Sequence, residues 1–464
     1  LKELTKGSPI KLIILFTLPL VIGNLFQQLY SISDTLIVGQ TLGVKALAAV
    51  GSTGSIQFLI IGFAQGLTAG LSILTAQYFG AHDYQQVRQS FATSIVICAV
   101  VTVFLTAVSL TFIHLILQLM QTPADIEKNA QIFISIIFAG IFASMAFNLL
   151  SNVIRALGDS RTPLYFLIVA AVVNIILELI FILIFKMGVS GAGIATVIAQ
   201  FLSVLLCIGY IMRHIPLLQV HKQDFQAITW KKIAHHLYIG LPMAFQASII
   251  AIGSIMIQSA INGLGTTAVA ATTAASKIDQ IATLPMMSLG IGMATFTAQN
   301  YGAKLYDRIL LGVKQCLLVS IGFSLFGGAL VISFGKAMVT LFVGKAAKEV
   351  LDLSQVYFNV NGSAYFILAV LFILRYTLQG LGQSVVPTLA GMAELAMRCV
   401  AALVLANSLG YLGACFANPL AWLGSCLVLG ISYFKAIKML KYKSRQTQHL
   451  AAVQPAKKVA CLNE

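Results

Sequence analysis

Thr75-Ala76-Gln77-Tyr78-Phe79-Gly80-Ala81 recurs 222 residues later as Thr297-Ala298-Gln299-Asn300-Tyr301-Gly302-Ala303. Three more anchors repeat in the same order at offsets of 222 to 224. They are Leu18-Pro19 with Leu241-Pro242, Leu157-Gly158 (and Ser160, Pro163) with Leu381-Gly382 (and Ser384, Pro387), and Gly191-Ala192 with Gly413-Ala414. Such a period marks an internal duplication. Each copy holds six apolar runs long enough to cross a bilayer, about 20 residues each. The twelve spans fall near residues 10–39, 47–78, 89–118, 128–154, 162–186, 190–212, 233–262, 268–300, 309–335, 349–378, 384–408 and 411–439. Six is even, so both copies enter the membrane from the same side and form parallel repeats about an axis along the membrane normal. The expected fold is an all-α polytopic membrane protein with twelve transmembrane helices in two six-helix, pseudo-symmetric lobes. An amino-terminal lobe (1–212), a linker (213–232), a carboxyl-terminal lobe (233–440) and a tail (441–464) divide the chain.

Composition agrees with this reading. Of 464 residues 59% are hydrophobic and 9% charged, with a mean hydropathy of +0.93. Soluble domains carry about 25% charged residues, so a soluble enzyme is excluded, as is a lone membrane anchor. The net charge of +15 would suggest nucleic acid in a soluble protein; here the basic residues concentrate in loops and tails. With the amino terminus placed in the cytoplasm, 21 Lys and Arg fall on cytoplasmic segments and six (Lys45, Lys128, Lys186, Lys336, Lys345, Lys348) on external ones. The positive-inside bias then sets both termini on the cytoplasmic side of the plasma membrane, with the bilayer as partner and no nucleic acid. The first run, from Ile10, continues for a full span without a small-residue cleavage site, so no cleavable signal peptide is expected. The seven cysteines are scattered, without a Cys-x-x-Cys pair, and read as small packing residues. Six of the seven histidines lie in or beside cytoplasmic segments, none at a metal-ligand spacing, so no metal centre or cofactor is expected.

Function is therefore sought in polar residues within the spans, where a carboxylate costs about 2.5–3.5 kcal/mol at the helix centre. Asn24, Gln27, Ser31 and Asp34 follow at steps of three, four and three on one face of the first span. Asn174 and Glu178 stand at i, i+4 on the fifth, and Thr196 lies on the sixth. At 1.5 Å rise per residue, Asp34, Glu178 and Thr196 all land in the outer half of the membrane, where they can meet. Ser144, Asn148 and Asn152 form a stripe on the fourth span that suits either a cavity wall or contacts between helices. In the second copy Asp34 aligns with Ile257 and Asn174 with Arg398, so the pattern is not repeated. Lys277 and Asp279 on the eighth span, two apart, do not share a face and are candidates for lining a cavity. Glu394 and Arg398 on the eleventh, at i, i+4, read as a self-neutralising salt bridge or as part of that cavity. Pro19 and Pro242, at matching places, mark a bend or a hinge. No Gly-x-x-x-x-Gly-Lys-Ser/Thr phosphate loop occurs, which argues against ATP-driven transport by this chain alone.

Ser33-Asp34-Thr35-Leu36-Ile37-Val38-Gly39, the repeated Thr-Ala-Gln-x-x-Gly-Ala and Arg155-Ala156-Leu157-Gly158-Asp159-Ser160 resemble the multidrug and toxic compound extrusion (MATE) transporters. The resemblance covers about residues 8 to 440 and is nearest the prokaryotic DinF-like and MepA-like members. It implies two six-helix lobes around a central cavity and antiport of cationic, lipophilic organic compounds against protons or sodium. It also implies a coupling-cation site at Asp34, Asn174, Glu178 and Thr196, and a substrate-lining role for Gln27. Glu178 departs from the aspartate of members with a described site. The carboxyl-lobe acid that some branches use for sodium has no clear match, since the tenth span offers only Glu349 and Asp352 near its outer end. Protons are the expected coupling ion, with sodium as the rival at the same site, and the chain is expected to act as a monomer. An alternative is a flippase for a lipid-linked precursor or polysaccharide, which would want several basic residues in the cavity where the spans hold only Lys277 and Arg398. An enzyme is not expected, since no catalytic constellation occurs.

Overall fold

The structure is a computed structural model that describes residues 3–119, 124–343 and 348–460. Among the basic residues counted above, Lys2 and Lys345 lie outside them. Helices dominate because a chain in hydrocarbon must satisfy its backbone hydrogen bonds internally. In chain order they are α1 (Pro9–Leu42), α2 (Val44–Ser52), α3 (Gly54–Gly80), α4 (Tyr84–Thr111), α5 (Ile113–Leu119), α6 (Ala124–Ala139), α7 (Ile141–Ala156), α8 (Arg161–Leu179) and α9 (Val189–His214). The second half adds α10 (Lys222–Gln226), α11 (Trp230–Asn262), α12 (Thr266–Gly302), α13 (Tyr306–Val343), α14 (Lys348–Gly380), α15 (Val385–Val400), α16 (Ala406–Leu409), α17 (Tyr411–Cys415) and α18 (Ala417–Ala460). Among the described residues eleven helices are long and apolar enough to cross a membrane, and α6 with α7, bent by 44°, makes a twelfth when counted as one span.

Three spans are more broken than the apolar runs suggest. The second is a short α2 followed, after Thr53, by α3. The fourth bends at Gly140, where an added Cβ would meet Val197 of α9 at 2.3 Å; the close approach of α9, invisible in a hydropathy pattern, requires a glycine there. The last begins in α17 and restarts at Ala417, and its helix runs on through most of the expected tail. Pro19 and Pro242 lie inside α1 and α11, and Pro285 lies inside α12.

The duplication is visible in the backbone. Left-handed φ values recur in pairs: Gly43 (84°) with Gly265 (99°), His82 (57°) with Lys304 (60°), Gly158 (87°) with Gly382 (81°), and Gly188 (63°) with Gly410 (60°). A π-helical turn follows α8 at Ile180–Ile184, and another follows α15 at Ala401–Leu405. At Gly188 and Gly410 the chain reverses tightly into the next helix with φ in the region that side chains avoid.

Contacts divide the chain into two compact units. The first comprises Phe16–Thr75 and Tyr84–Ile252; the second comprises Lys2–Leu15, Ala76–Asp83 and Gly253–Glu464. In the first unit the 213–232 connection is folded onto α4. Leu218 is buried, Asp224 accepts the His221 N–H (2.9 Å) and pairs with Arg88 (3.7 Å), and Lys232 donates to Gln89. His236, placed by the sequence beside a cytoplasmic segment, is buried on α11 and bonded to Ser90 of α4 (2.9 Å), which in turn meets Thr75 (3.0 Å). In the second unit the segment before α1 is fastened down. The Leu4 N–H donates to Gln299 (2.9 Å), its carbonyl accepts from Asn300 and Arg308 (3.2 Å each), and Arg308 also reaches the Gly7 carbonyl (2.6 Å). The Lys6 ammonium beside Glu3 (2.9 Å) holds that carboxyl below the usual range.

Candidate functional site

α1, α8 and α9 bring a polar cluster together within the first unit. Close packing starts it: a Cβ on Gly23 of α1 would touch Leu164 of α8 at 3.4 Å, and α8 turns at Gly188 to run back along itself as α9. Along α1 one turn separates Tyr30 from Asp34, and along α8 one turn separates Asn174 from Glu178. Asn174 donates to the Thr196 hydroxyl of α9 (3.2 Å), which itself bonds back to the Ala192 carbonyl (3.1 Å). Tyr30 Oη lies 3.3 Å from the same hydroxyl. The Asp34 and Glu178 carboxyls lie close enough to interact with each other. Glu178 is fully buried and Asn174 nearly so.

The chemistry follows from what is unsatisfied. Both oxygens of Glu178, Oδ1 of Asp34 and Oδ1 of Asn174 are buried without a hydrogen-bond donor among the described residues. Four acceptor oxygens converge where a protein normally supplies donors. Two carboxylates in so poorly hydrated a place cannot both carry charge cheaply. The cluster therefore suits a proton shared between carboxyls, or a small hard cation held by carboxylate and amide oxygens. Immediately after Glu178 the helix widens into its π turn, a feature common at functional sites. Tyr30 is the member that sequence reasoning passes over: its i−4 spacing from Asp34 was the available signal, hidden because tyrosine is unremarkable in a span.

The other sequence candidates distribute differently. Gln27 and Ser31 are exposed on α1 and Asn24 is half-buried, so this polar face leads from the cluster along the helix. Of the fourth-span stripe, Asn148 donates to the Ser144 carbonyl of its own helix (2.9 Å), while Asn152 ties α7 to α3 through Thr68 (3.2 Å) and accepts from Arg155 (3.3 Å). Asn152 thus bridges helices.

In the second unit Asp279 of α12 accepts from the Tyr365 hydroxyl of α14, while Lys277 is exposed. Glu394, expected beside Arg398, also bonds Arg375 of α14, which reaches Ser425 (3.2 Å). The sequence assigns Arg375 to a cytoplasmic segment, yet it is buried within its helix, five residues before the end. An arginine on a packed neighbouring helix can present its planar fork to a carboxylate. Arg398 lies over Gly253 of α11, where an added Cβ would come within 3.0 Å of it.

Comparison with known proteins fits this architecture. The MatE family model matches residues 19–180 and again 242–405, one match per repeat. "Probable multidrug resistance protein YpnP" of Bacillus subtilis (strain 168) is 28% identical over 82% of this chain and 84% of its own length. "Probable multidrug resistance protein YoeA" of the same organism is 29% identical over 81% and 82%. Among solved structures, a MATE crystal structure in the bent conformation superposes with a TM-score of 0.88 at 21% identity, covering 95% of this chain and 98% of that one. With both repeats matched over most of the chain, this multi-pass membrane protein belongs to the MatE family, the multidrug and toxic compound extrusion transporters.

Proposed function

We propose that the protein is a secondary active exporter that carries cationic, lipophilic organic compounds out of the cell in exchange for protons, through alternating access. The observation that carries the coupling half of this reading is the interacting carboxyl pair of Asp34 and Glu178, with Asn174, Thr196 and Tyr30 around it. A proton entering from outside relieves the repulsion between the carboxyls. Its departure to the inside restores that repulsion, so each state of the site favours a different arrangement of the helices that build it. Sodium bound by the same oxygens would relieve the same repulsion and is the rival ion. The names of the relatives support drug export, and the exposed face of Gln27 and Ser31, one to two turns from Asp34, gives cargo a path beside the ion site. Both termini are placed in the cytoplasm of a bacterial inner membrane, on the positive-inside bias.

The test is efflux of a fluorescent organic cation from proteoliposomes with pH and sodium gradients imposed separately. Export driven by the pH gradient alone, and absent in Asp34→Asn at equal reconstitution, is the expected result. Export that demands sodium overturns the proton assignment; Asp34→Asn working at the wild-type rate overturns the site.

A further inference from the structure

A groove in the first unit lies apart from the carboxyl cluster. Between α4, α7 and α9 a cavity of about 690 Å³ opens sideways, a size that holds a drug-sized or lipid-like ligand. Its floor is buried and apolar, with Met145, Leu149 and Val204 each under 7% exposed. Its lips are apolar and open: Val103 is 70% exposed, Met212 59% and Ile208 45%. One end is closed by the connection after α9, where Gln219 and His221 join the lining. This cap is built rather than draped: Gln219 donates to the Met212 carbonyl (2.8 Å), and Leu218 is buried beneath it.

The exposed charges next in sequence to the capped end are basic, and the acid there, Asp224, is buried against His221 (2.9 Å). Arg213 follows the lining Met212, Lys222 follows the lining His221, and both are exposed. Two carboxylates of the neighbourhood are already engaged, Asp224 by Arg88 (3.7 Å) and Asp159 by the Tyr210 hydroxyl (3.0 Å) and the N–H groups of Arg161 and Thr162. An apolar trough whose lips face hydrocarbon, ending in free positive charge at the level where spans meet the interface, matches an anionic amphiphile. Basic pockets between transmembrane helices recognise lipid headgroups in this way. We propose that the groove binds a membrane phospholipid, one acyl chain lying on Met145, Leu149 and Val204 and its anionic headgroup at Arg213 and Lys222. A cationic cargo would meet repulsion at that end.

Brominated lipid reports on this directly. With the native tryptophans replaced (Trp230→Phe, Trp422→Phe) and a reporter placed at the groove (Phe142→Trp), fluorescence is read in vesicles carrying brominated phosphatidylglycerol or brominated phosphatidylcholine at equal mole fraction. Half-maximal quenching is expected at roughly 25-fold lower mole fraction of the anionic lipid, about five-fold for each of the two charges. That preference should fall about five-fold for each charge removed in Arg213→Gln and Lys222→Gln. A reporter at Leu325→Trp, exposed on α13, should see the two lipids alike. Equal quenching at the groove, a preference that survives both glutamine substitutions, or no quenching at all overturns the proposal, as does protection of the reporter by tetraphenylphosphonium. Should the tryptophan-free background not fold, native mass spectrometry of the wild type against the double glutamine variant decides. Retained phosphatidylglycerol adducts on the wild type, lost from the variant, support the site; equal adduct counts overturn it.

Discussion

The two units share a backbone and differ in charge at equivalent places. In the first, Tyr30 of α1 and Asn174 of α8 converge on Thr196, beside two interacting carboxyls. In the second, the repeat-related positions are Gly253 and Arg398, and the guanidinium stem lies over the glycine that stands where Tyr30 stands. Asp34 becomes Ile257. Where one copy gathers acceptor oxygens, the other lays a cation, and its buried acid, Glu394, is neutralised by Arg375. The turns are thus kept in both copies, while the buried acid lacks a hydrogen-bond partner in one and is ion-paired in the other. On the proposed function, the half whose acceptor oxygens lack donors exchanges the ion, and the half whose buried acid is paired does not.

Importing the second pattern into the first is the sharpest way to break the comparison. Asn174→Arg places a guanidinium, as at Arg398, beside Asp34 and Glu178. Export should be abolished, because a fixed cation replaces the exchangeable one, while the protein stays folded because the buried acids are now partnered. Vesicle efflux together with a detergent melting curve measures both. Export by Asn174→Arg near the wild-type rate would remove the carboxyl pair from the mechanism.

The reverse asymmetry is in stability. Glu394→Gln strands the buried Arg375 and should cost about 3–5 kcal/mol, the usual penalty for removing one partner of a buried pair. Arg375→Met with Glu394→Met should recover most of it. Asp34→Asn should cost little, since it removes charge from a place that lacks donors. Equal melting shifts for Glu394→Gln and Asp34→Asn would show that the two acids are not of different kinds.

How far the sequence carries these conclusions depends on what each feature rests upon. The repeat is legible because left-handed turns and close crossings tolerate few residues, so Gly158, Gly188 and their counterparts recur as letters. Asp34, Asn174 and Glu178 are legible because polar side chains are costly in hydrocarbon and their helical spacing can be counted. Long-range partners are not: Glu394 bonds Arg375, 19 residues away on another helix, and only packing brings the two together. Arg375 looked like a loop residue because it lies near a helix end, and hydropathy cannot show that the end is buried. The bend at Gly140 has the same origin, a neighbouring helix rather than a local signal.

What the copies keep in common should fail alike. Gly80 and Gly302 close α3 and α12, and within the second unit each meets backbone from the other helix. A Cβ on Gly80 would stand 1.9 Å from the Gln299 carbonyl oxygen, and one on Gly302 1.8 Å from that of Gln77. Gly80→Ala and Gly302→Ala should therefore each destabilise by about 1–3 kcal/mol, the scale of overpacking where backbone must yield. Melting shifts that differ widely between the two would mean that the crossing is not a symmetric product of the repeat.

The smallest effect is expected at Tyr30. Its hydroxyl contacts Thr196 at 3.3 Å, a long bond to a group that already donates to Ala192 and accepts from Asn174. Tyr30→Phe keeps the ring and its packing and removes one neutral hydrogen bond, worth about 0.5–1.5 kcal/mol. If that bond only holds helices together, the loss appears as a slightly lower melting temperature with unchanged transport. If Tyr30 orients Thr196 within the ion site, the proton concentration needed for half-maximal export should shift by roughly two- to twelve-fold, the same energy expressed as affinity, with the maximal rate preserved. The split between affinity and maximal rate separates a positioning residue from a structural one, and Gly253→Tyr in the second copy supplies the control. Placed under Arg398, which a Cβ at that position would meet at 3.0 Å, it should lower stability without moving the proton dependence at all.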